Sequence, residues 1–154
     1  MSSEIETIDI ERHKYYINMA IELAHNSGDD IPIAAITVKD DDIISQATNQ
    51  KETSNDPTAH AEMLVLRETA QKLGRWRLND ITIYSTLEPC PMCGSAILLA
   101  RIPIIIFSAY DSLYGAMGSV IDLSDSFPFY KPTIIGGIEE EKSKKLLKRF
   151  LKDL

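Results

Sequence analysis

Two short clusters in the sequence carry side chains that bind metal ions. The first is the segment His60–Glu62, and the second is the pair Cys90 and Cys93, the only cysteines in the chain. One imidazole and two thiolates supply three ligands and leave the fourth tetrahedral position to water, as a catalytic zinc site requires. The sequence therefore predicts one Zn²⁺ per subunit, bound by His60, Cys90 and Cys93.

Glu62 is the predicted catalytic residue. It lies two residues from His60, too near to be a natural fourth ligand, but it can reach a metal-bound water. A carboxylate in that place can take the proton of the water and deliver it to a departing amine. His-x-Glu followed by Pro-Cys-x-x-Cys is also the signature of the zinc-dependent nucleobase deaminases.

Each cluster by itself allows other interpretations. A Cys-x-x-Cys pair also occurs in structural zinc sites and in redox proteins. A structural site normally needs a fourth Cys or His ligand, and no cysteine remains; a redox pair would leave His60 and Glu62 without a role. The two other histidines, His13 and His25, lie on the predicted first helix and are expected to face solvent or cap the helix.

Composition indicates an ordinary globular protein. With 154 residues, 44% of them hydrophobic and 25% charged, the chain is expected to form one domain over residues 1–154. No stretch approaches the roughly 20 apolar residues of a membrane helix, and the acidic N-terminus does not resemble a secretory signal. We therefore expect a cytoplasmic protein without a membrane partner.

Charge is unevenly distributed along the chain. The net charge is −7, which by itself disfavours a nucleic-acid partner. Residues 142–152 nevertheless contain six Lys or Arg residues and no acid. Lys144, Lys145 and Lys148 of this segment are candidate RNA contacts, although a solvated helix face is the common alternative.

Hydrophobic periodicity and turn residues predict alternating helices and strands. Thr58 is expected to cap the second helix, with Met63, Leu64, Leu66 and Ala70 on its inner face, and the stripe Leu146, Leu147 and Phe150 is expected to pack against the core. The predicted helices are 9–26, 58–73, 92–100 and 139–154, and the predicted strands are 33–38, 43–49, 81–84, 104–107 and 133–135. This order predicts an α/β fold, a three-layer α/β/α sandwich on a five-stranded mixed, mostly parallel sheet with an N-terminal antiparallel hairpin.

Residues 28–119 resemble the bacterial tRNA-specific adenosine deaminases of the zinc-dependent cytidine and deoxycytidylate deaminase superfamily. The resemblance rests on the zinc motifs and on several flanking segments, namely 31–33, Asn49, 56–62, 77–78, 86–93, 101–102 and 115–119. It implies a cytidine-deaminase-like fold and conversion of the tRNA wobble adenosine to inosine, with zinc-bound hydroxide attacking C6. It also implies a homodimer whose two subunits both contact the tRNA anticodon loop.

The same resemblance implies roles for residues outside the zinc motifs. Asn49 would hydrogen-bond the edge of the flipped adenine, and Asp111 would lie beside the ribose. A backbone amide near Pro89 would stabilise the tetrahedral centre. From the residues alone, Asn49 could instead complete a turn and Asp111 could cap a helix. The remaining predicted substrate contacts are Ile33, Ala61, Glu88 and Tyr110.

Two positions depart from the pattern of these deaminases. Ala34 stands where they usually have glycine, and Tyr110 stands where they usually have arginine. A tyrosine can stack on a base but cannot pair with a phosphate. Deamination of a free base or nucleoside, such as guanine or cytosine, is therefore the alternative function. A third possibility is a catalytically silent subunit that retains zinc for its structure.

Overall fold

Helices cover both faces of a central sheet in the computed structural model, which describes residues 2–128 and 130–152, with side chains for residues 10–128 and 130–150. The helices are α1 (Ser2–Ala24), α2 (Ala61–Leu73), α3 (Pro91–Leu99) and α4 (Glu140–Lys152). The strands are β1 (Ala34–Lys39), β2 (Asp42–Thr48), β3 (Thr82–Leu87), β4 (Ile104–Ala109) and β5 (Thr133–Ile135). A short 3₁₀ helix spans Leu123–Ser126 in the connection between β4 and β5.

The sheet has the strand order β2-β1-β3-β4-β5. Strand β1 is antiparallel to both of its neighbours, while β3, β4 and β5 run parallel to one another. The predicted five-stranded mixed sheet and N-terminal hairpin are thus confirmed. The sheet is also mostly parallel in strand direction, because β2, β3, β4 and β5 all run the same way and only β1 runs against them. The chain passes from β2 through α2 and crosses over β1 to reach β3, which places β1 between two strands that both run against it.

Both faces of the sheet are buried, which confirms the three-layer sandwich. Helices α1 and α4 pack on one face, where Ile17 of α1 meets Ile36 and Tyr84. Helices α2 and α3 cover the other face, where Val65 and Ile97 pack with Ile83. Neighbouring residues of a strand point to opposite faces, so a strand covered on both sides reads as a continuous apolar run.

Helix α2 begins later than the sequence suggested. It starts at Ala61, and the side chain of Thr58 donates to the carboxylate of Asp56 at 2.8 Å instead of capping the helix. Gly74 ends the helix as expected, because it adopts the left-handed conformation with a φ of 67° that glycine tolerates best.

The inner face of α2 also differs from the prediction. Of the residues predicted to face the core only Leu66 is buried, and Met63, Leu64 and Ala70 are half-buried. The buried residues of the helix are Ala61, Glu62, Val65, Leu66 and Thr69. Glu62 therefore points inward with the apolar residues, which periodicity of apolar residues alone does not reveal.

The expectation for His13 was wrong. The ring of His13 is buried between α1 and the sheet, and its Nδ1 lies 2.7 Å from the hydroxyl of Tyr84. In α4, Leu146 packs against the cluster under α1, as predicted, and Leu147 and Phe150 are half-buried. Among the described residues, the helices are either too short or too polar to cross a membrane.

Candidate metal centre and substrate cavity

The two clusters identified in the sequence meet at one edge of the sheet. Strands β3 and β4 are parallel, and α3 starts directly beyond the end of β3, so the start of α3 lies at the carboxyl edge of both strands. His60 is the residue immediately before α2, Cys90 is the residue immediately before α3, and Cys93 lies in the first turn of α3. The backbone N–H groups of both helix N-termini thus face the same point and favour negative charge there.

The three side chains have the spacing of zinc ligands. The Nδ1 atom of His60 lies 3.6 Å from Sγ of Cys90 and 3.5 Å from Sγ of Cys93. All three ligand atoms lie within 4.8 Å of one another. Zinc bonds of about 2.3 Å to sulfur and about 2.1 Å to nitrogen place tetrahedral N and S ligands roughly 3.6 Å apart. The donor set and its spacing therefore fit Zn²⁺ with one coordination position left open.

The two thiols differ in acidity when no metal is bound. The hydrogen bond with Cys93 lowers the pKa of Cys90 to about 4, despite an opposing effect of burial. The same contact and the burial of Cys93 raise the pKa of the Cys93 thiol. The hydrogen bond with Cys90 raises the pKa of His60. Because the pKa values of both Cys93 and His60 are raised, coordination by all three side chains requires the release of protons.

Glu62 lies beside this cluster in the first turn of α2 and is buried. Burial raises the pKa of its carboxyl to about 7. An acid whose pKa lies near the working pH can both accept and return a proton. Glu62 thus has the position and the acidity that a proton carrier beside a metal-bound water needs.

A cavity of about 470 Å³ opens over the metal cluster. It is large enough for a nucleoside-sized ligand, because small-molecule sites commonly range from about 300 to 1,000 Å³. The predicted residues that line it are Ile33, Asn49, His60, Ala61, Glu62, Glu88, Cys90 and Asp111. The lining residues that the sequence analysis missed are Ile31, Lys51, Leu87, Pro91, Met92 and Tyr114.

Asn49 lines this cavity and carries a hydrogen-bonding atom that is unused among the described residues. Its side chain is buried, and its Oδ1 atom has no hydrogen-bond partner among the described residues. Its backbone N–H donates to the carbonyl of Ile33 at 2.9 Å, which fixes the residue beyond the end of β2. A buried polar atom without a partner is uncommon in proteins, which distinguishes Asn49 from the other residues that line the cavity.

The residues after β4 form another part of the cavity wall. The Oδ1 atom of Asp111 accepts hydrogen bonds from the backbone N–H groups of Leu113 and Tyr114, at 3.0 and 3.1 Å. The capping arrangement considered for Asp111 is therefore present, although no helix follows. The other carboxylate oxygen of Asp111 makes no hydrogen bond to the described residues.

The structure places three of the predicted substrate contacts differently from the others. The ring of Tyr110 packs edge-on against Phe107, with the ring centroids 5.1 Å apart, and lies outside the cavity. Pro89 also lies outside it, and its carbonyl accepts the N–H of Ala116 at 2.9 Å. Glu88 does line the cavity, but its carboxylate is occupied by the segment that follows β4.

Asp30 is a further residue that sequence reasoning missed. Its buried carboxylate accepts hydrogen bonds from the N–H of Glu52 at 2.7 Å, the N–H of Thr53 at 3.1 Å and the hydroxyl of Thr53 at 2.5 Å. Burial opposes ionisation, but these hydrogen bonds outweigh it and hold the pKa of Asp30 below its ordinary value. Asp30 thereby anchors the loop that follows Asn49 and contains Lys51, Glu52 and Thr53. Because its partners lie about 20 residues away, a sequence motif could not identify it.

The basic residues of α4 lie apart from the cavity. Lys144 pairs with Glu140 at 3.1 Å and with Glu141 at 3.8 Å. Lys145 borders a separate groove between α1 and α4, and Lys148 is exposed. The structure thus leaves Lys145 and Lys148 more available to a partner than Lys144.

Comparison with known proteins places these features in a family. Residues 10–109 match the family described as the cytidine and deoxycytidylate deaminase zinc-binding region. The chain is 37% identical over 142 residues to the tRNA-specific adenosine deaminase of Bacillus subtilis (strain 168), covering 90% of this chain and 88% of that protein.

Solved structures give two further likenesses. A structure from a study of A-to-I editing by tRNA:A34 deaminases superposes with a TM-score of 0.81 at 36% identity, covering 86% of this chain and 99% of the other. Guanine deaminase from Bacillus subtilis superposes with a TM-score of 0.62 at 32% identity, covering 89% and 93% of the two chains.

Proposed function

Because the chain belongs to the cytidine and deoxycytidylate deaminase family, we propose that it hydrolyses the wobble adenosine of a tRNA to inosine. The reaction forms a bond between C6 of the base and the oxygen of water, breaks the bond between C6 and the amino nitrogen, and releases ammonia. One feature carries the proposal: two residues of the three-ligand cluster, His60 and Cys90, line the same cavity as Glu62 and Asn49.

His60, Cys90 and Cys93 would hold Zn²⁺, which lowers the pKa of a coordinated water and so supplies a nucleophile near neutral pH. Glu62 would take the proton of the attacking water on its carboxylate and pass it to the leaving amino nitrogen. Its burial beside the cluster supports this role, because a buried carboxylate with a pKa of about 7 exchanges protons readily.

Asn49 and Asp111 would orient the substrate. The free Oδ1 of Asn49 would accept a hydrogen bond from the edge of the base, and the carboxylate of Asp111 would lie beside the ribose. Ile33 and Ala61 would provide apolar contact with the ring. A nucleotide in an anticodon loop is already unpaired, so moving its base into this cavity costs less than it would in a duplex.

The similarity to tRNA-specific adenosine deaminases over most of the chain supports a tRNA substrate. We further propose a cytoplasmic homodimer in which Lys145 and Lys148 attract the phosphates. Leu99, the last residue of α3, is 55% exposed in the single chain, and an exposed leucine at the end of the helix that carries Cys93 is suited to a subunit contact. Sedimentation equilibrium tests the dimer: a monomer at micromolar concentration would contradict it.

Deamination of a free base, such as guanine, is the competing function. It is favoured by the 32% identity with guanine deaminase from Bacillus subtilis and by the absence of arginine at position 110. The two functions separate in one experiment, in which the zinc-loaded protein is incubated with an anticodon stem-loop containing the wobble adenosine, and separately with guanine, cytosine and adenosine. The Glu62→Gln variant is the matched control in every incubation.

Inosine in the stem-loop, formed by the wild-type protein and not by Glu62→Gln, is the expected result. Ammonia released only from guanine or cytosine would refute the tRNA function and support the alternative. No turnover of any substrate, in a protein with one zinc per chain, would instead support the catalytically silent subunit.

A further inference from the structure

A second carboxylate beside the cavity is buried without a cation. Glu88 is only 1% exposed, and none of the described salt bridges includes it. Its Oε1 atom accepts the N–H of Asp111 at 3.1 Å and the hydroxyl of Ser119 at 2.5 Å. Its Oε2 atom accepts the N–H groups of Met117 and Ser119 at 2.9 and 3.1 Å. Four donors from one segment, residues 111–119, thus replace the water that a carboxylate normally needs.

Gly115 lets this segment approach the carboxylate. A Cβ atom at this position would lie 2.5 Å from both Cδ and Oε1 of Glu88 and 2.5 Å from the carbonyl oxygen of Asp111. The φ angle of Gly115 is not in the positive range, so its lack of a side chain serves the close approach and not a left-handed turn. The segment is therefore shaped around the Glu88 carboxylate.

Apolar packing contributes little to holding the cavity-facing end of the segment. The side chains of Leu113 and Tyr114 are 75% and 66% exposed, so they bury little apolar area. Asp111 and Tyr114 nevertheless both line the cavity. Further along the segment Ala116 and Met117 are buried in the core, and Glu88 accepts four of the hydrogen bonds that the segment donates.

We propose that Glu88 is a positioning residue, which holds residues 111–119 in place as one wall of the substrate cavity and does not itself contact the substrate. The inference rests on the proposed function for the choice of substrate. Its consequence is that Glu88 determines how well substrate binds, while the metal cluster and Glu62 determine the rate of the chemical step.

The Glu88→Gln variant tests the proposal. The replacement keeps the shape of the side chain but turns one acceptor oxygen into an NH₂ group that faces N–H or O–H donors. We expect roughly a tenfold or larger rise in KM for the stem-loop, because losing a buried hydrogen bond to a charged group has an effect of that order. The kcat value should fall much less, and zinc content should stay at one per chain.

Two further variants and a second measurement complete the test. Gly115→Ala disturbs the same contact from the opposite side and should raise KM in the same way. Glu68→Gln is the matched control, because Glu68 also accepts a serine hydroxyl, that of Ser45 at 2.8 Å, but lies outside the cavity. Hydrogen exchange followed by mass spectrometry should show faster exchange over 111–119 in Glu88→Gln and Gly115→Ala but not in Glu68→Gln.

The outcomes separate this inference from the proposed function. Unchanged exchange over 111–119 in Glu88→Gln would overturn the anchoring role. If Glu88→Gln shows faster exchange but an unchanged KM, Glu88 only stabilises the fold. The same conclusion follows if kcat and thermal stability fall while KM stays constant. If the wild-type protein does not deaminate the stem-loop, the proposed function fails. KM is then measured on whichever substrate is turned over. The exchange experiment needs no substrate and therefore tests the role of Glu88 in either case.

Discussion

Glu62 should destabilise the metal-free protein at neutral and higher pH, and its replacement by glutamine makes this measurable. The folded protein raises the pKa of Glu62 to about 7, against about 4.3 in an unfolded chain. Between these two values the folded state binds more protons than the unfolded state, so the free energy of unfolding falls as the pH rises. The difference of almost three pKa units corresponds to roughly 4 kcal/mol at pH 8.

The Glu62→Gln variant removes this titration while keeping the shape of the side chain. In protein stripped of metal with a chelator, urea unfolding should show the variant more stable than wild type at pH 8, by roughly 4 kcal/mol. At pH 4 the advantage should largely disappear, because the wild-type carboxyl is then protonated in the folded protein. In the zinc-loaded protein, kcat should fall by roughly a factor of 10² to 10⁴ because the proton carrier is lost.

Both halves of the prediction are open to refutation. A metal-free Glu62→Gln protein that is no more stable than wild type at pH 8 would show that burial of the carboxylate carries no such energetic cost. Unchanged kcat with full zinc occupancy would exclude Glu62 as the proton carrier. The Glu68→Gln variant, on the exposed side of the same helix, controls for general effects of removing one negative charge from α2.

Further predictions concern the metal, the substrate contacts and the loop anchor. Cys93→Ser should lose zinc at micromolar metal concentration, measured by atomic absorption, and retention of one zinc per chain would contradict the three-ligand site. Zinc binding should release protons, seen as calorimetric heats that vary with the buffer. Asn49→Ala should raise KM for the stem-loop roughly tenfold through loss of one substrate hydrogen bond, with zinc content unchanged. Asp30→Asn should be less stable than wild type at pH 7 in urea unfolding, and the difference should shrink as the pH falls through the lowered pKa of Asp30. A difference that does not change with pH across the acid range would contradict the role of ionisation. Replacing Lys145 and Lys148 with Glu should weaken stem-loop binding and flatten its salt dependence, and unchanged binding would leave them as solvated residues.

The sequence by itself determined the metal centre. His60, Cys90 and Cys93 are local to two helix starts, and residues three apart at a helix start lie on the same side. Ligand identity and helix geometry are therefore encoded within a few residues. The fold class followed for a similar reason, because turn residues and hydrophobic periodicity mark each element separately.

Only the tertiary structure decided how the cavity wall is built. The position of β1 between β2 and β3 depends on pairing across the whole sheet, so local patterns could not give the strand order. The burial of His13 and Glu62 likewise depends on which helix face meets the sheet. Polar residues at such places carry no periodic signal in the sequence.

The roles of Glu88, Asp30 and Tyr110 illustrate the same limit. Glu88 was predicted to contact substrate, yet its carboxylate is bound by a segment more than 20 residues further along the chain. Asp30 holds a loop of comparable separation, and Tyr110 turns away to pack on Phe107. The sequence shows only that a carboxylate or an aromatic ring is present at a position. Which donors or neighbours it meets is set by long-range packing, so these residues became interpretable only once the strands and loops were in place.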